Sequence, residues 1–196
     1  YGVGRKMLSD QEIMLRCRQG QSGLLDLLID RHGADLYTFC LRLCGSRADA
    51  DDLFQDSWLA VLRHIARYDA QKPFRPWLFT ISLNLRRDRF RRARRWIRAL
   101  AGHQAESGRA EKLRAKGSLS PEAAASGDED KVRLDAALGR LAESQRLPLL
   151  LHYYCGMPLA QVADVLGLAP GTVKSRLSRA REQLRRYLQE ESHERP

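Results

Sequence analysis

The sequence predicts an all-α protein with two small helical domains joined by a flexible linker. Apolar residues recur with the 3.6-residue period of a helix through most of the chain, and alternating β-branched runs are almost absent. Residues 102–130 are rich in Ala, Gly, Ser, Glu and Lys, with Leu113 and Leu119 as their only large apolar residues. Such a segment buries too little apolar surface to offset the entropy lost on ordering. We therefore expect it to separate a first domain, residues 7–101, from a second, residues 131–190. Fully extended, the linker reaches ~95 Å at about 3.3 Å per residue.

The charge of the chain indicates a polyanionic partner. Its 34 Lys and Arg residues outnumber its 24 Asp and Glu residues, which gives a net charge of +10 and a pI of about 9.9. No run approaches the ~18 apolar residues of a membrane-spanning helix, and the start of the sequence lacks the pattern of a signal peptide. We therefore expect a cytoplasmic protein that binds nucleic acid and has no membrane insertion.

The first helical pattern surrounds two of the four cysteines. Cys40 and Cys44 follow Leu36 at steps of four residues and neighbour Phe39 and Leu43, so both thiols are predicted to lie on the apolar stripe of a helix. The spacing is not that of a zinc site, and the five histidines are scattered. We expect no metal and no cofactor; a redox or metal-binding role for Cys40 and Cys44 is the open alternative.

The next segment, residues 46–69, predicts a helix with an apolar side and an acidic side. The apolar stripe expected to pack inward comprises Phe54, Trp58, Val61, Leu62, Ile65 and Tyr68. A second face carries residues at positions i, i+3, i+4 and i+7: Asp52, Gln55, Asp56 and Leu59. This face suits a basic helix of another protein better than it suits DNA. The alternative, that the acids only cap the helix and complement its dipole, is the preferred interpretation for Asp49 and Asp51.

Residues 73–98 predict a helix that opens at Pro76 and buries a stripe formed by Leu78, Ile81 and Leu85. Its second half is strongly basic, with eight arginines: Arg86, Arg87, Arg89, Arg91, Arg92, Arg94, Arg95 and Arg98. A basic helix in the first domain is hard to explain in a simple repressor, because the second domain carries a DNA-binding pattern of its own.

Other sectors of this helix combine an aromatic ring, an amide and charged groups, namely Trp77, Asn84, Arg87, Asp88 and Arg91. Aromatic rings and guanidinium planes stack on unstacked bases, and an amide offers a donor and an acceptor to an exposed base edge. The set therefore indicates a surface for unpaired bases. Two alternatives stay open: Trp77 as an anchor of the core, and Asn84 as a buried hydrogen-bonding residue.

The second domain begins with a helix that contains Pro148. A proline bends a helix unless it lies in the first turn, which here requires a cap at Ser144.

Residues 162–184 predict a helix-turn-helix. Ala163 is small where two helices would cross, Gly167 permits a left-handed turn, and Pro170 fits the first turn of a second helix. The buried set of the motif comprises Val162, Leu166, Leu168 and Val173, continued along the second helix by Leu177, Ala180 and Leu184. Polar and cationic side chains able to enter a major groove follow the turn: Thr172, Lys174, Ser175, Arg176, Ser178, Arg179 and Arg181.

Together these elements resemble the extracytoplasmic-function sigma factors of bacterial RNA polymerase, the two-domain members of the sigma-70 superfamily. The resemblance rests on DADDLFQDSWLAV, FRPWLFTISLNLRRDRFRR and GTVKSRLSRAREQL, read in that order along the chain. It implies a sigma region 2 helical bundle in the first domain and a sigma region 4 helix-turn-helix in the second. The implied partners are core RNA polymerase, through its β′ clamp helices and β subunit, promoter DNA and an anti-sigma factor.

The resemblance also implies roles for individual residues. Core polymerase is bound by Asp52, Gln55, Asp56 and Leu59. The −10 element is recognised and melted by Trp77, Asn84, Arg87, Asp88, Arg91 and Arg92, with Asn84 at the position that captures a flipped base. The −35 element is read by Thr172, Lys174, Ser175, Ser178 and Arg179, with Arg176 and Arg181 on phosphates. Housekeeping sigma factors carry adjacent tryptophans where this chain has Trp77 followed by leucine, which implies weaker melting.

Two other functions are alternatives to this interpretation. A conventional dimeric helix-turn-helix regulator would bind duplex DNA without polymerase and would not need Asp52 and Asp56. A metal-dependent nucleic-acid enzyme would have to use the carboxylates between Asp49 and Asp56, but the sequence supplies no supporting site. We find no nucleophile with a matching base and no phosphate-binding glycine loop, so we expect no catalytic residues and no enzymatic activity.

Overall fold

The computed structural model describes residues 8–44, 46–101 and 129–193. Within these ranges the regular structure is helical without strands, which confirms the predicted all-α class. The α-helices are α1 (Asp10–Arg18), α2 (Leu25–Leu43), α3 (Arg47–His64), α4 (Phe74–Ala101), α5 (Glu129–Arg140), α6 (Glu143–Leu149), α7 (Leu159–Leu166) and α8 (Pro170–His193). Leu113 and Leu119 of the predicted linker lie outside the described residues. Helix α5 starts two residues inside the predicted linker.

None of the helices in the described ranges is both long and apolar enough to cross a lipid bilayer.

Helices α1 to α4 pack as a bundle in which α3 lies against α2 and α4. The centre is occupied by Phe39, Leu53, Phe79 and Leu83, each at most 1% exposed. The ring centroids of Phe39 and Phe79 are 5.1 Å apart, which joins α2 to α4. Since each such side chain contributes about 1.5–3 kcal/mol on burial, this contact fixes the rotation of α4 in the bundle.

The predicted inward stripe of α3 holds for most of its members but is wrong for Leu62, which is 40% exposed. Trp58, Val61 and Tyr68 are buried as expected. The helix is rotated toward Leu53, a core residue that the predicted stripe does not include. At 100° per residue Leu62 lies opposite Leu53 on the helix, so the burial of Leu53 leaves Leu62 at the surface.

Helix α4 begins at Phe74, two residues before the predicted start at Pro76. Phe74 is 1% exposed, and its ring packs against those of Trp58 and Tyr68 at centroid distances of 6.4 Å and 6.1 Å. Pro76 still lies in the first turn, where a missing N–H leaves no helical hydrogen bond unmade.

The cap at Ser144 that would place Pro148 in the first turn is not found. Helix α6 is capped by the backbone of Ala142, and Pro148 is its sixth residue. Two residues after the proline begins a π-helical turn, Leu150–Tyr154, in which the Cys155 N–H donates to the carbonyl of Leu150 at 3.1 Å. Pro148 has no N–H to donate to the carbonyl of Ser144, so α6 lacks that helical hydrogen bond.

Helices α7 and α8 form the predicted helix-turn-helix. Gly167 ends α7 with φ of 65° and ψ of 41°, and the next residue, Leu168, donates its N–H to the Ala163 carbonyl at 3.0 Å. Val162 and Val173 are fully buried, whereas Leu168 and Leu166 are half-buried. The left-handed glycine therefore sets the angle between the two helices.

The cysteines are free thiols within the helical packing. Cys40 is fully buried on α2, but Cys44 is half-buried and caps the end of α2, so the prediction that both lie on the helical stripe is wrong for Cys44. Burial raises the pKa of Cys40 and of Cys155 to about 12 and that of Cys44 to about 11. These thiols are therefore neutral near pH 7. Within the described ranges, no group of three His, Cys, Asp or Glu side chains has the arrangement of a metal site.

Gly167→Ala is expected to destabilise the protein by about 1–2 kcal/mol, because a Cβ is strained at positive φ. A Cβ at this position meets no atom within 4 Å, so the cost comes from the backbone alone. Gly171→Ala is the matched control: it lies in α8, has equally open space and lacks positive φ, so it is expected to stabilise by up to about 1 kcal/mol. Urea unfolding measures both, and equal effects from the two variants would contradict this explanation.

At pH 8, a thiol with a pKa of about 12 is ionised to about one part in 10⁴, so Cys40 and Cys155 are expected to resist iodoacetamide until the protein unfolds. Their folded pKa exceeds the unfolded value of about 8.5, so this contribution to stability is complete below that pH and is lost as pH rises toward 12. Mass spectrometry of labelled peptides, with and without urea, tests the prediction. Labelling of native Cys40 at the unfolded rate would refute it.

Candidate nucleic-acid interface

The acidic face of α3 is exposed as the spacing predicts. Asp52 and Gln55 are exposed, and Leu59 is 53% exposed. Leu62 lies one turn away from this set, so the misplaced core residue enlarges an apolar patch bordered by acids. The exception is Asp56, which is half-buried and accepts a hydrogen bond from the Arg89 guanidinium of α4 at 2.5 Å.

The two other acids of this segment have structural partners. The Ser46 hydroxyl accepts from the Asp49 N–H at 3.1 Å and donates to its carboxylate at 2.8 Å, so Asp49 helps to start α3. The Tyr37 hydroxyl donates to the Asp51 carboxylate at 2.7 Å, and this hydrogen bond raises the pKa of Tyr37. Asp49 thus acts in capping as expected, while Asp51 joins α3 to α2.

Trp77 and Asn84 lie two turns apart on α4 and point to the same side. Trp77 is half-buried, and its ring packs against Tyr68 at a centroid distance of 4.9 Å and against Phe74 at 6.0 Å. Asn84 is exposed, so the alternative of a buried hydrogen-bonding amide is not found. The core holds one edge of the Trp77 ring in place while part of it remains open to solvent.

The charged residues of this set extend the same surface. At 100° per residue, the six residues fall within about 140° of the circumference of α4: Trp77, Asn84, Arg87, Asp88, Arg91 and Arg92. Arg87, Arg91 and Arg92 are exposed, and Arg91 pairs with Asp88 one turn away. An exposed pair of this kind contributes little to stability, so the Arg91 guanidinium can exchange partners easily.

Helix α8 separates its core stripe from its polar surface cleanly. Val173, Leu177 and Ala180 are buried against the domain, and the predicted groove-facing residues occupy the remaining sectors. Five of these groove-facing residues are exposed: Lys174, Ser175, Ser178, Arg179 and Arg181. Thr172 and Arg176 are half-buried, and the Ser175 hydroxyl donates to the Thr172 carbonyl at 2.9 Å.

A cleft where α4 packs against the second domain is lined by one arginine from each helix that carries a DNA-binding pattern. Arg87 of α4 and Arg176 of α8 line this cleft, whose volume is about 220 Å³, together with Glu143, Leu166 and Leu168. Beside it, Arg86 is only 7% exposed, and its guanidinium lies 3.1 Å from the carboxylate of Glu143 at the start of α6. Of the residues predicted to bind the −10 and −35 elements, Arg87 and Arg176 therefore line one cleft.

Two further arginines connect the domains. Arg42 of α2 forms an ion pair with Asp135 of α5, and its guanidinium lies 3.8 Å from the centroid of the Tyr154 ring. Arg75 of α4 bonds to Asp35 at 2.5 Å and also donates to the carbonyl of Cys155. Both arginines supply links between residues that are distant in sequence.

The sequence does not predict these contacts, because the partners lie far apart along the chain. Arg42 and Asp135 are 93 residues apart, and periodicity reports only on neighbours along one helix. The available signal was an arginine at the edge of an apolar stripe, as at Arg42 and Arg86, because a guanidinium in such a place needs a partner.

The geometry agrees with what known proteins reveal about the chain. Residues 28–96 match the family model of Sigma-70 region 2, and residues 131–184 match that of Sigma-70 region 4. The chain is 37% identical over 171 residues to the ECF RNA polymerase sigma factor SigL of Mycobacterium tuberculosis, covering 87% of this chain and 92% of SigL. This chain belongs to the ECF sigma factors. It is an alternative sigma factor of the sigma-70 superfamily, and a conventional helix-turn-helix regulator is not favoured.

Other ECF sigma factors and related solved structures agree. SigW of Bacillus subtilis is 27% identical over 183 residues, covering 91% of this chain and 97% of SigW. CnrH in complex with the cytosolic domain of CnrY superposes with a TM-score of 0.68 at 28% identity, covering 92% of this chain and 97% of CnrH. RpoE in complex with the anti-sigma factor NepR, from Bartonella quintana, gives 0.67 at 25% identity, covering 84% and 96%.

Proposed function

We propose that this ECF sigma factor directs core RNA polymerase to promoters by dividing three contacts among three helices. The outer face of α3 binds polymerase, the Trp77–Asn84 side of α4 opens and recognises the −10 element, and α8 reads the −35 element. The observation that carries the proposal is the exposure of Asn84 beside a half-buried Trp77 on an arginine-rich helix. A repressor that reads only duplex DNA has no use for such a pair.

Polymerase binding uses the acidic face of α3. Asp52 and Gln55 offer carboxylate and amide groups around the 53% exposed Leu59. An apolar centre surrounded by charges is the usual composition of a protein interface, and the charges select a basic partner helix. The Asp56 carboxylate can join this face if it exchanges Arg89 for a basic group of polymerase.

Opening of the −10 element is driven by capture of unpaired bases. Unpairing and unstacking cost a few kcal/mol per base, and a base that stacks on an aromatic ring and bonds through its edge recovers much of this cost. Trp77 supplies a ring held by Tyr68 and Phe74, and Asn84 supplies an amide on the same side of α4. Arg87, Arg91 and Arg92 are placed to hold the phosphates beside the captured base.

Recognition of the −35 element uses the second helix of the helix-turn-helix. The short hydroxyls of Ser175 and Ser178 permit close approach to base edges, and Lys174 and Arg179 are long enough to reach guanine acceptors. Arg181 and Arg176 are assigned to phosphates, which set the register of the helix on the duplex.

We further propose that the chain acts in the cytoplasm, has no catalytic activity of its own and is controlled by an anti-sigma factor. Polymerase catalyses RNA synthesis, and this chain supplies promoter recognition and strand opening. Support for a protein regulator comes from CnrH and RpoE, whose structures were solved with CnrY and with the anti-sigma factor NepR.

Reversing the charge of Asp52 and Asp56 to arginine is expected to weaken binding to core polymerase at least ~10-fold, or about 1.4 kcal/mol, because two acids of the docking face are lost. Asp26→Arg with Asp30→Arg is the matched control, since these exposed acids have the same four-residue spacing on α2. Binding is measured by fluorescence anisotropy and initiation by transcription from a promoter with both elements. Equal losses in the two double variants would contradict the assignment of this face.

Asn84→Ala is expected to reduce initiation about 10-fold on duplex promoters and much less on a template already unpaired at the −10 element. Capture of the base offsets the free-energy cost of unpairing the duplex. The second template is already unpaired, so this cost does not arise on it. Permanganate reactivity of −10 thymines measures opening directly, and Gln71→Ala removes another exposed amide of the same domain as a control. If the unpaired template fails to restore initiation, Asn84 has a different role.

A further inference from the structure

The indole of Trp96, near the end of α4, is 67% exposed, more than any other large apolar side chain in the described ranges. Trp96 lies on the same side of α4 as Leu78, because 18 residues make five full turns, yet Leu78 is fully buried. From residue 91 to residue 96 every side chain of α4 is exposed. Helix α4 therefore carries its apolar side past the part of the helix that the bundle covers.

The other exposed aromatic ring of this part of α4, Phe90, has a partner within the chain. The Arg86 guanidinium lies 4.8 Å from the centroid of the Phe90 ring. In the part of the chain that the structure describes, no ring or cation lies against Trp96 in this way. The two aromatic residues are six positions apart, so they lie about 120° apart around the helix. Trp96 is thus the aromatic ring of α4 that is left open to an external partner.

Trp96 lies outside the surface predicted to bind the −10 element. It is about 120° from Asn84 around the helix and about 18 Å further along its axis, at 1.5 Å per residue. A base held at Asn84 is therefore out of reach of the Trp96 ring. The exposed indole needs another explanation than capture of that base.

The side of α4 on which Trp96 lies is the side that meets α3. Arg89, seven residues earlier, donates to the Asp56 carboxylate of α3 at 2.5 Å. Seven residues correspond to almost two full turns, so Trp96 lies within about 20° of the direction of Arg89 and about 10.5 Å further along the helix. Asp56 belongs to the acidic face of α3, with Asp52 and the exposed Leu59. Trp96 therefore extends that face along α4.

A basic partner helix suits both parts of this extended face. Its cations are attracted by the acids of α3, and an indole is the aromatic ring that binds cations best. Tryptophan also buries about 150–250 Å² in an interface and is enriched among the residues that dominate binding energy. We propose that Trp96 anchors polymerase binding, so that one basic helix of core polymerase contacts both the acidic face of α3 and the Trp96 ring of α4. The inference rests on the proposed function, because it extends the polymerase-binding face of α3.

The test measures binding of the full chain to core polymerase in the absence of DNA, by fluorescence anisotropy. Trp96→Ala is expected to weaken binding about 10-fold, or about 1.4 kcal/mol. Phe90→Ala is the matched control, because it removes another exposed ring from the same helix, and it is expected to match wild type. Trp96→Phe keeps a smaller ring that binds cations less well, so its affinity is expected to lie between those of wild type and Trp96→Ala. Circular dichroism checks that each variant is folded.

Equal polymerase affinity of wild type and Trp96→Ala would overturn the proposal, as would equal losses in Trp96→Ala and Phe90→Ala. Binding of a mixed-sequence single-stranded oligonucleotide and sedimentation of the free chain identify other occupants of the Trp96 ring. If Trp96→Ala weakens oligonucleotide binding or self-association but leaves polymerase affinity unchanged, the ring serves nucleic acid or a second copy, and the proposal fails. The variant with Asp52 and Asp56 reversed to arginine separates the two claims. If that variant binds polymerase like wild type, the proposed function fails. If only Trp96→Ala does so, this inference alone fails.

Discussion

The burial of one stripe of α4 against α2 and α3 fixes the direction in which the other faces of α4 point. Phe79 and Leu83 lock that stripe into the bundle, with Phe79 packed on Phe39. Once these side chains are buried, the geometry of a helix leaves Asn84 on an open side and turns Arg86 toward the second domain. A single packing contact thus orients the base-binding surface and the surface between the domains at the same time.

The charge distribution of the chain combines an excess of basic residues with ion pairs between arginines and acids. A chain of net charge +10 attracts DNA, yet several of its arginines are paired with acids of the chain. Asp56 pairs with Arg89 and Glu143 with Arg86, so an acid from another helix lies against each of two α4 arginines. Ion pairs of this kind contribute little net stability, since the desolvation cost nearly cancels the attraction. They can therefore be replaced by an external partner at small cost, which suits a protein that exchanges partners during initiation.

Local pattern was sufficient for the class of fold and for the exposure of most residues of each candidate surface. The left-handed Gly167 and the first-turn Pro170 identified the helix-turn-helix, because these residues are required by backbone geometry alone. Leu62 was misplaced because the rotation of α3 depends on the shape of its neighbours rather than on its own periodicity. The cleft between the domains was not predicted at all. It arises from pairs such as Arg86 with Glu143, which lie on separate helices and leave no periodic signal.

A photo-crosslinking map of the initiation complex tests most directly the assignment of α4 and α8 to separate promoter elements. Photoreactive side chains replace Arg92 on α4 and Arg181 on α8, at the exposed margins of the two surfaces. With core polymerase and promoter DNA, the α4 probe is expected to crosslink within the −10 element and the α8 probe within the −35 element. Crosslinking of both probes to one element, or of the α4 probe to −35 duplex, would contradict the assignment of the two helices.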